Sequence, residues 1–177
     1  MVQLEPSSPE GEWFVRWTIR LALILYFAAV AGLLALRGRR EPPSWIRLAW
    51  TLAWLTYLVH VVAAFGVYHH WSHFHAYQHT QAVSGFGPGI FVSYFFTLVW
   101  GLDIAWSWFA PQQHWRLPTW LVVVFHALLA FIIFNGAIVF ATGPVRWASL
   151  AGAALLLALL VCRIYTQARP VESHAVE

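Results

Sequence analysis

Residues 118–141 read PTWLVVVFHALLAFIIFNGAIVFA, and this run contains no Asp, Glu, Lys or Arg. The hydrocarbon core of a bilayer is about 30 Å thick, and about 20 helical residues at 1.5 Å each are enough to cross it. Because lipid offers no hydrogen bonds, every backbone amide in such a crossing must be bonded within its own segment, as it is in an α-helix. The run therefore predicts a transmembrane helix.

Four other runs have a similar length and apolar character, and Gly, Pro or Arg residues separate them. The five predicted helices lie near residues 14–36, 46–68, 89–109, 118–141 and 146–165. We predict an all-α, polytopic membrane helical bundle that forms one domain over residues 13–166, with a His-rich outer loop at 69–88. The polar tails, 1–12 and 167–177, are expected to be disordered.

The composition also indicates a membrane protein. Hydrophobic residues make up 60% of the chain and charged residues only 10%, whereas a soluble domain has about 25% charged residues. The basic residues form no cluster of the kind that binds nucleic acid, so nucleic acid is not expected as a partner. We expect the lipid bilayer as partner, in a cell membrane, which would be the inner membrane in a bacterium. The composition is compatible with a homo-oligomer or a larger membrane complex.

The arginines predict the orientation, because cytoplasmic loops retain positive charge during insertion. One side of the predicted bundle carries Arg37, Arg39, Arg40, Arg47, Arg116, Arg163 and Arg169. The other side carries Arg146, with Arg16 and Arg20 in the first turns of the first helix. We therefore predict that the N-terminus is outside and the C-terminus inside.

Five histidines fall within a stretch of eleven residues after the second predicted helix. They are His69, His70, His73, His75 and His79. Neutral imidazole is the commonest metal ligand, and residues three or four apart share one helix face. If the second helix continues past Tyr68, the first three of these histidines fall within an arc of about 100°. We therefore predict a transition-metal site for zinc, copper or iron on the extracytoplasmic side, supported by His60. Hydrogen bonding to lipid headgroups and pH sensing are the alternatives.

The segment His70-Trp-Ser-His73, preceded by His69, is similar to one histidine box of the membrane-bound desaturases and hydroxylases. The resemblance implies two irons, which that family holds through several such boxes. The remaining histidines do not supply the other boxes, since His114 is predicted on the opposite side and His174 lies in the tail. The chain is therefore not assigned to that family.

Ionisable side chains inside predicted helices are costly in lipid and often functional. Counted at 1.5 Å per residue, Asp103 and His126 lie at nearly the same depth toward the cytoplasmic side, and we predict that they pair. His60 and Asn135 lie together nearer the outside, with Tyr57 close by. Interhelical hydrogen bonding with no further role is the alternative. His60 and His126 lie at different depths, which argues against a haem held between them.

Three classes of function follow from these patterns. The favoured one is a multi-pass membrane protein with a histidine-rich metal site outside, which would be a membrane metalloenzyme or redox protein if the site is catalytic. The second is a metal or proton transporter that uses His60, Asp103 and His126. The third is a structural or assembly subunit of a larger membrane complex.

Overall fold

The computed structural model of the protein describes residues 8–36 and 43–168. The described chain forms seven α-helices and one π-helical turn, without a strand. The elements are α1 (Pro9–Leu36), α2 (Ser44–His69), α3 (His73–Ser84), α4 (Gly89–Phe109), α5 (Pro111–Trp115), α6 (Thr119–Phe134), the π-turn (Asn135–Val139) and α7 (Pro144–Ala168).

Five of these helical segments are long and apolar enough to cross a membrane, which confirms the predicted all-α bundle with five spans. They are Pro9–Leu36, Ser44–His69, Gly89–Phe109, Trp120–Val139 and Pro144–Thr166. The first helix begins at Pro9 rather than near residue 14. Residues 1–7 and 169–177, to which the predicted disorder of the tails mainly refers, lie outside the described residues.

Large apolar side chains face outward along the long helices. Ile24, Phe131 and Leu157 are each more than 60% exposed. A soluble protein rarely exposes so much contiguous apolar surface, whereas a bilayer provides an apolar environment for it. This protein is therefore a multi-pass membrane protein. We name its two ends by the short helices that mark them, the α3 side and the α5 side.

The segment 69–88, predicted as a His-rich outer loop, contains helix α3. Helix α2 ends at His69, and the chain then turns through left-handed conformations at His70 (φ 47°) and Trp71 (φ 60°). Helix α3 begins after Ser72, whose side chain accepts a hydrogen bond from the backbone N–H of His75 at 3.3 Å. The shared face of His69, His70 and His73 required the second helix to continue, and this condition is not met because α2 ends at His69.

Aromatic rings fill the centre of the bundle. The core contains Tyr26 and Ala29 of α1, Trp50 and Ala53 of α2, Phe96, Trp100 and Ile104 of α4, and Leu129 of α6. The rings of Trp50 and Trp100 lie 5.1 Å apart between centroids, and Tyr26 contacts both. Trp50 lies within two turns of the start of α2, yet it is only 6% exposed. The resulting aromatic layer separates the two sides of the bundle.

Candidate functional site

A cavity of about 420 Å³ opens between α1, α2, α4, α5 and α6 on the α5 side. We call it the α5-side pocket. Most of its wall is apolar, and the polar or charged groups on it include Arg47, Asp103, His114 and His126. Trp50, from the aromatic core, also lines it. A mainly apolar cavity with a few converging polar groups is typical of small-molecule sites, which usually measure about 300–1,000 Å³.

Asp103 is the centre of the polar group. Its Oδ2 accepts a hydrogen bond from Nε1 of Trp50 at 2.9 Å. Its Oδ1 lies 2.7 Å from Nε2 of His114, which donates because an ionised carboxylate has no proton to give. The Asp103 side chain is 15% exposed and that of His114 is 25% exposed. One carboxylate therefore ties together α2, α4 and α5, with both of its oxygens in use.

The hydrogen-bonded partner of Asp103 is His114 instead of the predicted His126. Proline at the first helical position starts α5 directly after α4, and this short helix brings His114 back toward the carboxylate eleven residues earlier. His126 lines the same pocket, and its ring lies 5.6 Å from that of Trp50. The prediction that Asp103 and His126 share one depth is compatible with a common pocket, and their direct pairing stays a prediction.

From the sequence, Arg47 served only to predict the orientation of the helices in the membrane. Its position on the pocket wall was not predicted. Its Nη1 donates to the carbonyl oxygen of Ser107 at 3.2 Å, and its guanidinium lies 4.9 Å from the ring centroid of Trp108. These contacts hold the guanidinium beside the pocket. Its Nε is buried and has no hydrogen-bond partner within residues 8–36 and 43–168. The sequence feature that could have indicated this position is an arginine near the start of a membrane-spanning run.

The predicted metal-binding histidines are only partly brought together. The rings of His69 and His79 lie 5.2 Å apart between centroids. His73 instead forms a hydrogen bond of 2.8 Å with the hydroxyl of Tyr94, and His70 is exposed in the turn. In the part of the chain that the structure describes, no three His, Cys, Asp or Glu side chains are placed to hold one ion. The turn between α2 and α3 separates residues that one helix would have aligned.

A larger cavity, of about 1,220 Å³, lies on the α3 side, and we call it the α3-side cavity. His60, Tyr57 and Asn135, which the sequence placed in one layer, all line it. Nδ1 of His60 donates to the carbonyl oxygen of Val15 at 3.0 Å. Asn135 bonds within its own helix, to the carbonyl oxygen of Phe131 at 2.8 Å. The three residues therefore share one cavity wall, on which the rings of Tyr57 and His60 lie 6.4 Å apart between centroids.

The chain matches no protein-family model, no curated protein and no solved structure. Its function is therefore inferred from geometry and chemistry.

Proposed function

We propose that this multi-pass membrane protein binds a lipophilic small molecule in the α5-side pocket. The observation that carries the proposal is the combination of one mainly apolar cavity of about 420 Å³ with a hydrogen-bonded Asp103–His114 pair on its wall. Apolar walls favour an apolar body, and a few fixed polar groups orient one polar end. A ligand dissolved in the bilayer has ready access to such a protein.

The polar wall favours a ligand whose polar end accepts hydrogen bonds. Both oxygens of Asp103 already accept, from Trp50 and from His114. Arg47 lines the pocket and is permanently charged, so its guanidinium offers donors and no acceptor. Donors on the wall therefore outnumber free acceptors. A carboxylate or carbonyl oxygen on the ligand satisfies this imbalance.

Ligand binding can be measured in detergent with lauric acid and a short-chain quinone as probes, one for each source of acceptor oxygen. Trp50 and Trp106 line the pocket, so a bound probe should change the intrinsic tryptophan fluorescence. We expect saturable binding of at least one probe. Arg47→Gln should weaken it about 10- to 100-fold, the range for losing a hydrogen bond to a charged group.

Arg116→Gln is the matched control, because Arg116 lies exposed on the same side of the bundle and away from the pocket lining. The affinity of this variant for the bound probe should equal that of the wild type. Absence of saturable binding by both probes would contradict the proposal, and so would equal losses in the two arginine variants.

A metal site on the α3 side is a second candidate, and one specific observation favours it. His69 and His79 lie with ring centroids 5.2 Å apart, and the buried Nδ1 atoms of His69 and His75 have no hydrogen-bond partner in the described chain. Zinc, copper or iron held by two imidazoles would need further ligands, such as water. Elemental analysis of the purified protein tests this. Metal should be lost in His69→Ala and retained in His70→Asn, an exposed control in which Asn tolerates the left-handed backbone.

Transport through His60, Asp103 and His126 remains a prediction. Tyr26 and Trp100 line the α3-side cavity, while Trp50 lines the α5-side pocket. The rings of Trp50 and Trp100 are in contact, so a transport path along these residues would require the aromatic layer to open.

A further inference from the structure

The wall of the α3-side cavity is rich in basic side chains. Arg16, Arg20, His60 and His79 line it, and none of the described residues on its wall is acidic. Uncompensated positive charge beside a membrane is costly unless water or an anion accompanies it. The cavity therefore has the charge expected of an anion site.

The two arginines do not contribute equally. Nη2 of Arg16 lies 2.9 Å from a carboxylate oxygen of Glu12, so an acid on the same helix already offsets its charge. The guanidinium of Arg20 lies 4.9 Å from the ring centroid of Trp17 and forms no ion pair within the described part of the chain. Arg20 is therefore the principal cation of the cavity.

His60 adds a second polar contact on the neighbouring helix α2. Its Nδ1 is engaged by the carbonyl oxygen of Val15, which fixes the ring and leaves Nε2 as the second polar atom of the ring. With the proton on Nδ1, Nε2 of the neutral ring is an acceptor. Arg20 therefore supplies the donors for an anion, while His60 adds a polar atom to the wall of the same cavity.

Arg20 lies at the depth where lipid phosphates are found. Residues 21–36 of α1 carry no charge and rise about 24 Å along the helix axis, which accounts for most of a hydrocarbon core of about 30 Å. Arg20 is the last charged residue before this run. Its guanidinium is therefore placed near the boundary between hydrocarbon and headgroups.

The size of the cavity and its apolar lining indicate whether the anion is free in solution or is part of an amphiphile. At about 1,220 Å³ the cavity is far larger than an inorganic phosphate requires, and Leu23, Phe96 and Ile132 give it apolar surface. Acyl chains cover such surface favourably, whereas a hydrated anion does not. We propose that the α3-side cavity binds an anionic phospholipid, with its phosphate at Arg20 and its acyl chains on the apolar wall. This site is separate from the α5-side pocket and does not depend on the function proposed for that pocket.

Thermal unfolding in detergent tests the proposal, with dioleoylphosphatidylglycerol, dioleoylphosphatidylcholine and inorganic phosphate added separately. Binding to the folded state raises the unfolding midpoint. We expect the anionic lipid to raise the midpoint of the wild type more than the zwitterionic lipid does, and phosphate alone to have no comparable effect. Arg20→Gln should lower the affinity for the anionic lipid about tenfold or more, and Arg20→Lys should restore part of it.

Arg146→Gln is the matched control, because Arg146 is exposed on the same side and does not line the cavity. Equal effects of the two lipids, an equal loss in Arg146→Gln, or a full response to phosphate alone would overturn the proposal. If Arg20→Gln does not fold, native mass spectrometry of the wild type from bilayers containing both lipids decides the question. Enrichment of the anionic lipid supports the site, and retention in the proportion of the bilayer contradicts it.

Discussion

Replacing Asp103 by Asn should lower the free energy of unfolding by about 1–2 kcal/mol. Asp103 accepts from Trp50 at 2.9 Å and from His114 at 2.7 Å, and it links three helices. Asn keeps one acceptor oxygen but loses the charge and the second acceptor, so that one donor is left unpaired. Hydrogen bonds to charged groups contribute about 1.5–3 kcal/mol in soluble proteins, while interhelical bonds in membranes average about 0.6 and reach about 1.7 kcal/mol. The estimate of about 1–2 kcal/mol covers the overlap of these two ranges.

A double-mutant cycle isolates the bond from other effects of the substitutions. Unfolding in mixed micelles with increasing dodecyl sulfate gives the stability of Asp103→Asn, Trp50→Phe and the double variant. We expect a coupling energy of about 0.5–1.5 kcal/mol between them. Trp54→Phe is the control, because Nε1 of Trp54 donates to the carbonyl oxygen of Thr97 and should show little coupling to Asp103. Equal coupling in both cycles, or wild-type stability of Asp103→Asn, would refute the reasoning.

Three further outcomes are expected. Gly101→Ala should destabilise the bundle by about 1–3 kcal/mol through overpacking, because a Cβ there would lie 2.8 Å from Cζ2 of Trp54. Gly136→Ala is the control in the same unfolding assay. A Cβ at Gly136 would meet no packing neighbour within 4 Å, so this variant should show no overpacking loss. Tyr94→Phe should cost about 0.5–1.5 kcal/mol by removing the 2.8 Å bond to His73, and unchanged stability would argue against that bond. A fluorescent protein fused to the C-terminus should fluoresce on the cytoplasmic side if the predicted orientation holds, and a non-fluorescent fusion with an accessible extracytoplasmic C-terminus would reverse it.

The number and type of the spans could be predicted from the sequence because lipid imposes a local rule. Each crossing must be apolar and must satisfy its own backbone, so that a run such as 118–141 is sufficient evidence by itself. The arrangement around the histidines could not be predicted from hydropathy and histidine spacing alone. Ser72 as an N-cap and Gly85 at the C-terminal end are signals for helix α3 that spacing between histidines does not contain.

The centre of the α5-side pocket was only partly predictable for a different reason. Depth along a helix placed Asp103 and His126 together, and both line the pocket. A depth estimate assigns residues between spans to the surface and cannot show that α5 folds back to bring His114 to the carboxylate. Pro111 at the first position of that helix was the available local signal.

The position of Trp50 shows the same limit. A tryptophan this near a helix end is typical of the headgroup layer, but the side of the helix decides whether the ring faces lipid or neighbouring helices. Trp50 faces Trp100 and Asp103 inside the bundle. Such lateral placement depends on which helices are adjacent, and single-span hydropathy contains no information about that.

Photolabelling with a fatty acid that carries a diazirine near its carboxylate tests the ligand pocket most directly, because the labelled residues are identified by peptide mass spectrometry. The account predicts adducts on pocket residues such as Val122 and Phe125, which excess lauric acid or short-chain quinone suppresses. Adducts spread over outward-facing residues such as Ile24 and Leu157, unaffected by either competitor, would contradict it.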